Sequence, residues 1–162
     1  MTSDGRPVPD PAPGPKERGA RPTGGAPRRI VVGFDGSPPS LRAVRLGVSL
    51  ANAGGRVWIL HASEPGRAVA EPLTDEESGA PIRAVTKSIA SLVTEAKSRS
   101  VHAEGVVRDG PPAELLWRLA REVGAELVVV GTRGLGGTAR LLLGSVSSRV
   151  VEHATLPVVV VP

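Results

Sequence analysis

The residues best suited to bind a ligand lie near the C-terminus, in the segment VVVGTRGLGGTARLLLGSVSSRVV from Val128 to Val151. An apolar strand ends at Gly131, two residues separate Gly131 from Gly134, and nine more precede Gly144-Ser145, where an amphipathic helix is predicted to begin. Glycine lets backbone N–H groups approach a ligand without an intervening Cβ atom. The first N–H groups of a helix are unpaired and lie at the positive end of its dipole. The segment therefore predicts a phosphate-binding loop.

A P-loop does not account for this spacing. The pattern GxxxxGK[ST] requires a lysine, and the lysines of this chain, Lys16, Lys87 and Lys97, all lie elsewhere. The predicted phosphate site therefore depends on backbone N–H groups.

The remainder of the chain predicts elements that could position such a loop, because short apolar strands alternate with amphipathic helices. The predicted strands are Ile30 to Phe34, Val57 to Leu60, Val101 to Arg108, Leu127 to Val130, and Val158 to Val161. The predicted helices begin after Ser37-Pro38, after a polar loop from Ser63 to about Gly79, after Asp109-Gly110-Pro111-Pro112, and at Ser145.

Repeated β–α units with continuous apolar strands predict an α/β fold: an open, Rossmann-like parallel sheet of five strands with helices on both faces. Right-handed crossovers favour the strand order 3-2-1-4-5. That order creates a switch point between strands one and four, and ligands of open α/β sheets bind beyond the carboxyl ends of the strands there. The turn from Gly33 to Ser37 and the glycines after strand four are therefore expected to form one site.

Charge is concentrated in a predicted tail, residues 1–28, ahead of a domain at 29–162. Residues 1–27 hold seven of the 16 prolines and five glycines, a composition typical of disordered segments. Residues 1–29 carry six basic and three acidic residues, so +3 of the net +4 lies there. With three aromatic residues in the chain, Phe34, Trp58 and Trp117, the composition argues against a nucleic-acid partner.

Composition also excludes several other classes of protein. The sequence has no cysteine, no apolar run of about 20 residues that could span a membrane, and no apolar stretch typical of a secretory signal, so a cytoplasmic location is expected. The histidines at 61, 102 and 153 are scattered and predict no metal site. His61 is expected to pack behind the site, and the sequence shows no constellation for catalysis.

The alternation from Arg29 to Pro162, the sequence VGFDGS after the first strand, and the spacing Gly131-x2-Gly134-x9-Gly144-Ser145 together resemble the universal stress protein family. In that family the full glycine motif is typical of the ATP-binding branch, so the resemblance implies ATP with Mg²⁺ as the ligand. It implies adenosine contacts from Gly33, Phe34 and Asp35, a base contact from Ala62, ribose and adenine contacts from Val130 and Gly131, and phosphate contacts from Gly134, Gly144, Ser145, Val146 and Ser147.

Several alternatives remain open at this stage. Asp35 could cap the following helix instead of binding a ligand, and Ser145 and Ser147 could be ordinary residues of a helix N-terminus. Arg133, beside the first glycine pair, could assist the phosphates or point to solvent, and Arg140 is expected to be a solvated loop charge.

Three functions follow from these patterns. The first is an ATP-binding regulator of the stress response that is not an enzyme and shows at most slow ATP hydrolysis. The second is a nucleotide-dependent ligase or nucleotidyltransferase, although the chain lacks the histidine pair or SGGxDS loop that such enzymes use. The third is a nucleotide-free interaction module whose protein partner is unknown.

The last predicted strand, Val158 to Val161, predicts self-association. It is apolar on both faces and carries no charge, whereas edge strands of monomers usually carry charges or other features that prevent pairing. The family resemblance implies antiparallel pairing through this strand. A homodimer is therefore expected.

Overall fold

The computed structural model describes residues 26–63, 75–132 and 143–162. Five strands alternate with four helices in these ranges: β1 (Arg29–Gly33), α1 (Pro38–Ala51), β2 (Arg56–Ser63), α2 (Asp75–Ser98), β3 (His102–Asp109), α3 (Pro112–Val123), β4 (Leu127–Gly131), α4 (Ser145–Glu152) and β5 (Val158–Val161). All strand pairs are parallel, in the order β3-β2-β1-β4-β5. The predicted α/β class and strand order are confirmed.

The sheet separates two apolar layers. Helices α1 and α2 cover one face, where Val44 and Leu92 are buried, and α3 and α4 cover the other, where Leu116 and Val150 are buried. Strands β1 and β4 lie in the centre of the sheet and are covered on both sides, which explains their continuous apolar sequences. This arrangement fixes the carboxyl ends of β1 and β4 beside each other.

The sequence predicted the start of α1 correctly, since Ser37 is its N-cap. At the opposite edge of the sheet, Gly124 ends α3 in the left-handed conformation, with a φ of 59°. Most of the predicted tail, residues 1–25, lies outside the described residues.

Two predicted boundaries were wrong. Helix α2 begins at Asp75 and not after Gly79, so the acidic residues 75–77, which were expected in a loop, form the first turn of a helix, where negative charge favours the helix dipole. Strand β2 extends to Ser63 because it pairs with β3 along its whole length, up to the pair Ser63↔Asp109.

Candidate functional site

The carboxyl end of β4 packs directly against the first turn of α1. A Cβ atom built on Gly131 would lie 2.8 Å from the backbone nitrogen of Ser40 and 2.9 Å from the Cβ atom of Pro39. Because β1 and β4 are paired neighbours, the turn after β1 and the residues after β4 meet at the switch point. The structure thus brings together the two segments that the sequence predicted to share a site.

The same packing gives Gly131 a structural role. The atoms that a side chain at this position would strike include the backbone of α1, which cannot move aside as a flexible side chain could. At Gly33, by contrast, a Cβ atom would meet only side chains, 3.3 Å from Val130 Cγ1 and 3.4 Å from Leu116 Cδ1. Glycine at 131 is therefore required by helix–strand packing, independently of any ligand.

The turn after β1 is held by a network centred on Ser37. The Ser37 hydroxyl donates to Asp35 Oδ1 at 2.6 Å and accepts from the Ser40 N–H at 3.3 Å, and the Ser37 N–H also donates to Asp35 Oδ1 at 3.0 Å. Ser37 is therefore the residue that caps α1, and Asp35 fixes the cap. The alternative that Asp35 itself caps this helix is wrong.

The N-terminus of α1 has little capacity left for an anion. Pro38 and Pro39 have no N–H group, the Ser40 N–H is bound by Ser37 Oγ, and the Leu41 N–H donates to the Ser37 carbonyl at 3.0 Å. A helix terminus whose donors are absent or paired cannot offer them to a phosphate.

The N-terminus of α4 is open. Its N-cap is Gly144, which supplies no side-chain cap, and the first turn contains no acidic residue. The N–H groups of Ser145, Val146 and Ser147 form no hydrogen bond with any residue of the described ranges, and the side chains of Ser145 and Val146 are exposed. Unpaired N–H groups at the positive end of a helix dipole attract anions, so the N-terminus of α4 is suited to accept an anion.

Hydrogen bonds from Gly144 and Ser147 hold the start of α4 against the end of β4. The Thr132 carbonyl accepts the Gly144 N–H at 2.7 Å, and the Ser147 hydroxyl lies 2.9 Å from the same carbonyl and 3.0 Å from that of Gly144. Ser147 is only 2% exposed, and its single hydroxyl hydrogen is engaged by backbone oxygens. The Ser147 hydroxyl is therefore not free to bind a phosphate, so a phosphate contact of Ser147 would have to use its backbone N–H.

The residues predicted to contact the adenosine differ in their exposure and in their hydrogen bonds. The Phe34 side chain is 5% exposed and belongs to the core, while its N–H donates to the Leu60 carbonyl at 2.8 Å and its carbonyl lies 3.0 Å from His61 Nδ1. This leaves Phe34 as a structural residue of the turn and confirms that His61 packs behind it. Val130 is 3% exposed, and Ala62 is half-buried near the end of β2.

Three residues of the predicted site region, Arg133, Gly134 and Arg140, lie outside the described residues. Conversely, Ser40 and Thr132 act at the site but were not singled out by the sequence. Their roles depend on backbone partners brought near by the fold, and only the capping pattern at Ser37 could have hinted at the Ser37–Ser40 contact.

Within the described ranges, no group of three or more histidine or acidic side chains could hold a metal ion. Each helix found there is too short or too polar to cross a membrane.

A doubly wound α/β domain with an open helix N-terminus at its switch point is the class that this fold and site define. A family model described as the universal stress protein family matches residues 27–162. The chain is 31% identical over 144 residues to the universal stress protein YxiE of Bacillus subtilis, which covers 82% of this chain and 97% of YxiE. The protein belongs to the universal stress protein family.

Solved structures share the fold. The crystal structure of a universal stress protein in complex with cAMP is 35% identical, with a TM-score of 0.62 over 84% of this chain and 97% of that one. A universal stress protein of Archaeoglobus fulgidus in complex with dAMP is 23% identical, with a TM-score of 0.61 over 83% of this chain and 97% of that one.

Proposed function

We propose that this protein binds ATP at the carboxyl ends of β1 and β4 and acts as a nucleotide-dependent regulator of the stress response. The observation that carries the proposal is the open N-terminus of α4, which offers the N–H groups of Ser145, Val146 and Ser147 next to a helix, α1, whose N-terminus is closed. The cAMP complex of a relative 35% identical to this chain supports an adenine nucleotide as the ligand class.

The polar groups of the site suit the two ends of a nucleoside phosphate. Phosphate oxygens match the unpaired N–H groups of α4, whereas the Asp35 carboxylate can only accept and therefore matches hydroxyl groups. In this proposal Ala62, on the neighbouring strand β2, borders the base. In this proposal Gly144 keeps the approach to the N–H groups clear.

Magnesium ions fit this site as part of the nucleotide complex. Mg²⁺ usually keeps several waters and binds through phosphates and one or two carboxylates, so it does not need the cluster of protein ligands that the described ranges lack. The nucleotide phosphates and water would hold the ion, which would neutralise part of the phosphate charge.

We further propose that the protein signals through its nucleotide state and is not an enzyme, apart from slow hydrolysis of ATP. A general base needs a free site within hydrogen-bonding reach of the reacting proton. In this proposal the second oxygen of Asp35 accepts a hydroxyl of the nucleotide, and His61 Nδ1 is bound to the Phe34 carbonyl. Neither the carboxylate nor this nitrogen is then left to activate water.

A homodimer through β5 is also part of the proposal. Strand β5 lies at the edge of the sheet, paired with β4 on one side, and all four of its valines are only half-buried. Pairing with the same strand of a second copy would satisfy the open edge and bury apolar surface. Pro157 and Pro162 bracket the strand and would limit pairing to these valines.

Calorimetric titration of the purified protein with ATP, AMP, cAMP and GTP tests the ligand. We expect ATP to bind with a Kd of about 1 μM or tighter, equivalent to roughly −8 kcal/mol. Cyclic AMP is the second candidate because of the relative solved with it. Native mass spectrometry of the protein purified from cells identifies any nucleotide that co-purifies, and a protein that binds none of the four nucleotides contradicts the proposal.

A further inference from the structure

Asp35 is held by both hydrogen-bond donors of a single buried residue. The Ser37 hydroxyl and the Ser37 N–H both donate to Asp35 Oδ1, at 2.6 and 3.0 Å. Ser37 is 2% exposed, and Asp35 is half-buried. Two contacts to one carboxylate oxygen, from a residue that is itself fixed as a helix cap, restrict the rotation of the Asp35 side chain.

The second carboxylate oxygen is left for other partners. No residue of the described ranges donates a hydrogen bond to Asp35 Oδ2. Asp35 thus presents one oriented acceptor oxygen at the switch point.

We propose that Ser37 is a positioning residue that makes Asp35 Oδ2 the acceptor for a ribose hydroxyl of the bound nucleotide. This inference rests on the proposed function and adds the source of sugar selectivity. Through Asp35, the protein would prefer a ribonucleotide to one that lacks the ribose hydroxyls.

The chemistry of the neighbouring groups favours a hydroxyl over other parts of the nucleotide. A carboxylate repels phosphate, so its partner must be a donor, either a ribose hydroxyl or the amino group of adenine. The turn that carries Asp35 leads into the first turn of α1, against which Gly131 at the end of β4 packs. Thr132, which follows, binds Gly144 at the start of α4, where phosphate is expected. The ribose is bonded to the phosphate and the adenine amine is at the far end, so the ribose hydroxyl is the donor within reach.

The Ser37 hydroxyl matters because it makes the shorter of the two contacts to Asp35. In Ser37→Ala, Asp35 keeps only the N–H contact and gains rotational freedom, so Oδ2 is no longer held toward the ligand. Preorganised acceptors bind more strongly because their ordering entropy is not lost on binding. Loss of this hydroxyl should therefore weaken the selectivity for ribose.

The test is the ratio of the Kd for 2′,3′-dideoxy-ATP to the Kd for ATP, measured by titration under the same conditions. In the wild type we expect a ratio of roughly ten or more, the usual size of a lost hydrogen bond to a charged group. The ratio should fall to within about threefold of one in both variants, because the carboxylate is no longer fixed in Ser37→Ala and is replaced by a neutral amide in Asp35→Asn. A purely structural defect would weaken both nucleotides equally and leave the ratio unchanged.

Ser40→Ala is the matched control. Ser40 is also buried, at 3% exposure, and its hydroxyl donates to the Ser37 carbonyl at 2.9 Å. The same hydroxyl accepts from the Asp35 backbone N–H at 3.4 Å but does not touch the Asp35 carboxylate. This variant should lose stability yet keep the wild-type ratio. Ser37→Thr, which retains a hydroxyl at a residue type suited to N-caps, should restore the ratio.

A second variant covers the case in which Ser37→Ala does not fold. Glycine is nearly as favourable at an N-cap as serine, and Ser37→Gly also removes the hydroxyl, so this variant should show the same loss of selectivity.

The remaining outcomes distinguish failure of this inference from failure of the proposed function. A wild type that binds ATP with a ratio near one, or a Ser37→Gly variant that keeps the wild-type ratio, overturns this inference and leaves the proposed function standing. A wild type that binds no adenine nucleotide overturns both.

Discussion

Replacing Gly131 with alanine is expected to destabilise the ligand-free protein. The added Cβ atom would lie 2.8 Å from the Ser40 nitrogen and 2.9 Å from both the carbonyl carbon and the Cβ atom of Pro39. Carbon atoms pack at about 3.5 to 4.0 Å, so α1 and the end of β4 must separate by several tenths of an ångström. Forcing an extra carbon into a well-packed region costs about 1 to 3 kcal/mol. For a domain of this size, that corresponds to a fall in Tm of roughly 4 to 12 °C.

Urea and thermal denaturation without nucleotide measure this loss, and Gly33→Ala is the matched control. Gly33 also ends a central strand, but its Cβ atom would meet the side chains of Val130 and Leu116 at 3.3 and 3.4 Å, and these can adjust. We expect Gly33→Ala to lose clearly less stability than Gly131→Ala. A Gly131→Ala protein that melts at the wild-type temperature, or one no less stable than Gly33→Ala, refutes the packing argument.

Three further predictions concern other parts of the chain. The two hydrogen bonds from Arg108 to Glu122, at 2.7 and 3.1 Å, lower the pKa of the Glu122 carboxyl. A lowered folded-state pKa stabilises the protein at pH values above the unfolded pKa. In urea denaturation, the stability advantage of the wild type over Glu122→Gln should therefore shrink, and should not grow, as the pH falls through about 4. Val160→Lys should convert the proposed dimer to a monomer in sedimentation velocity, whereas a wild type already monomeric at tens of micromolar excludes the β5 interface. Deletion of residues 1–27 should leave both Tm and ATP affinity unchanged, because that composition adds nothing to a core, and a clear loss of either contradicts this.

The sequence was sufficient to predict the fold because its strongest signals are local. Apolar strands such as Leu127–Gly131 alternate with helices whose ends carry typical capping residues, Ser37 at the start of α1 and Gly124 at the end of α3. Parallel β–α units then leave few topologies, and the predicted order proved correct. The start of α2 could not be predicted, since the prolines and acidic residues near position 75 are equally compatible with a loop.

The structure assigns packing and hydrogen-bonding roles to several site residues that the sequence did not predict. The missing side chain of Gly131 was expected to leave space for a ligand, and the structure shows that it leaves space for the first turn of α1. Ser147 was expected to contact phosphate, and the structure adds that its hydroxyl holds the end of β4. Phe34 lies in the core. These roles depend on contacts between residues distant in the chain, which spacing alone does not reveal.

ATP titration of the wild type and of Gly144→Val tests whether the N-terminus of α4 binds the nucleotide phosphates. Gly144 has a φ of −69° and a ψ of 165°, a conformation open to any residue, so a valine there should lower the stability by no more than about 1 kcal/mol. Its side chain would stand at the N-cap, beside the three N–H groups of α4 that no described residue binds. We expect micromolar ATP binding by the wild type and at least a roughly tenfold weaker Kd in a folded Gly144→Val protein. Equal ATP affinity in the two proteins would contradict the assignment of the phosphate site to α4.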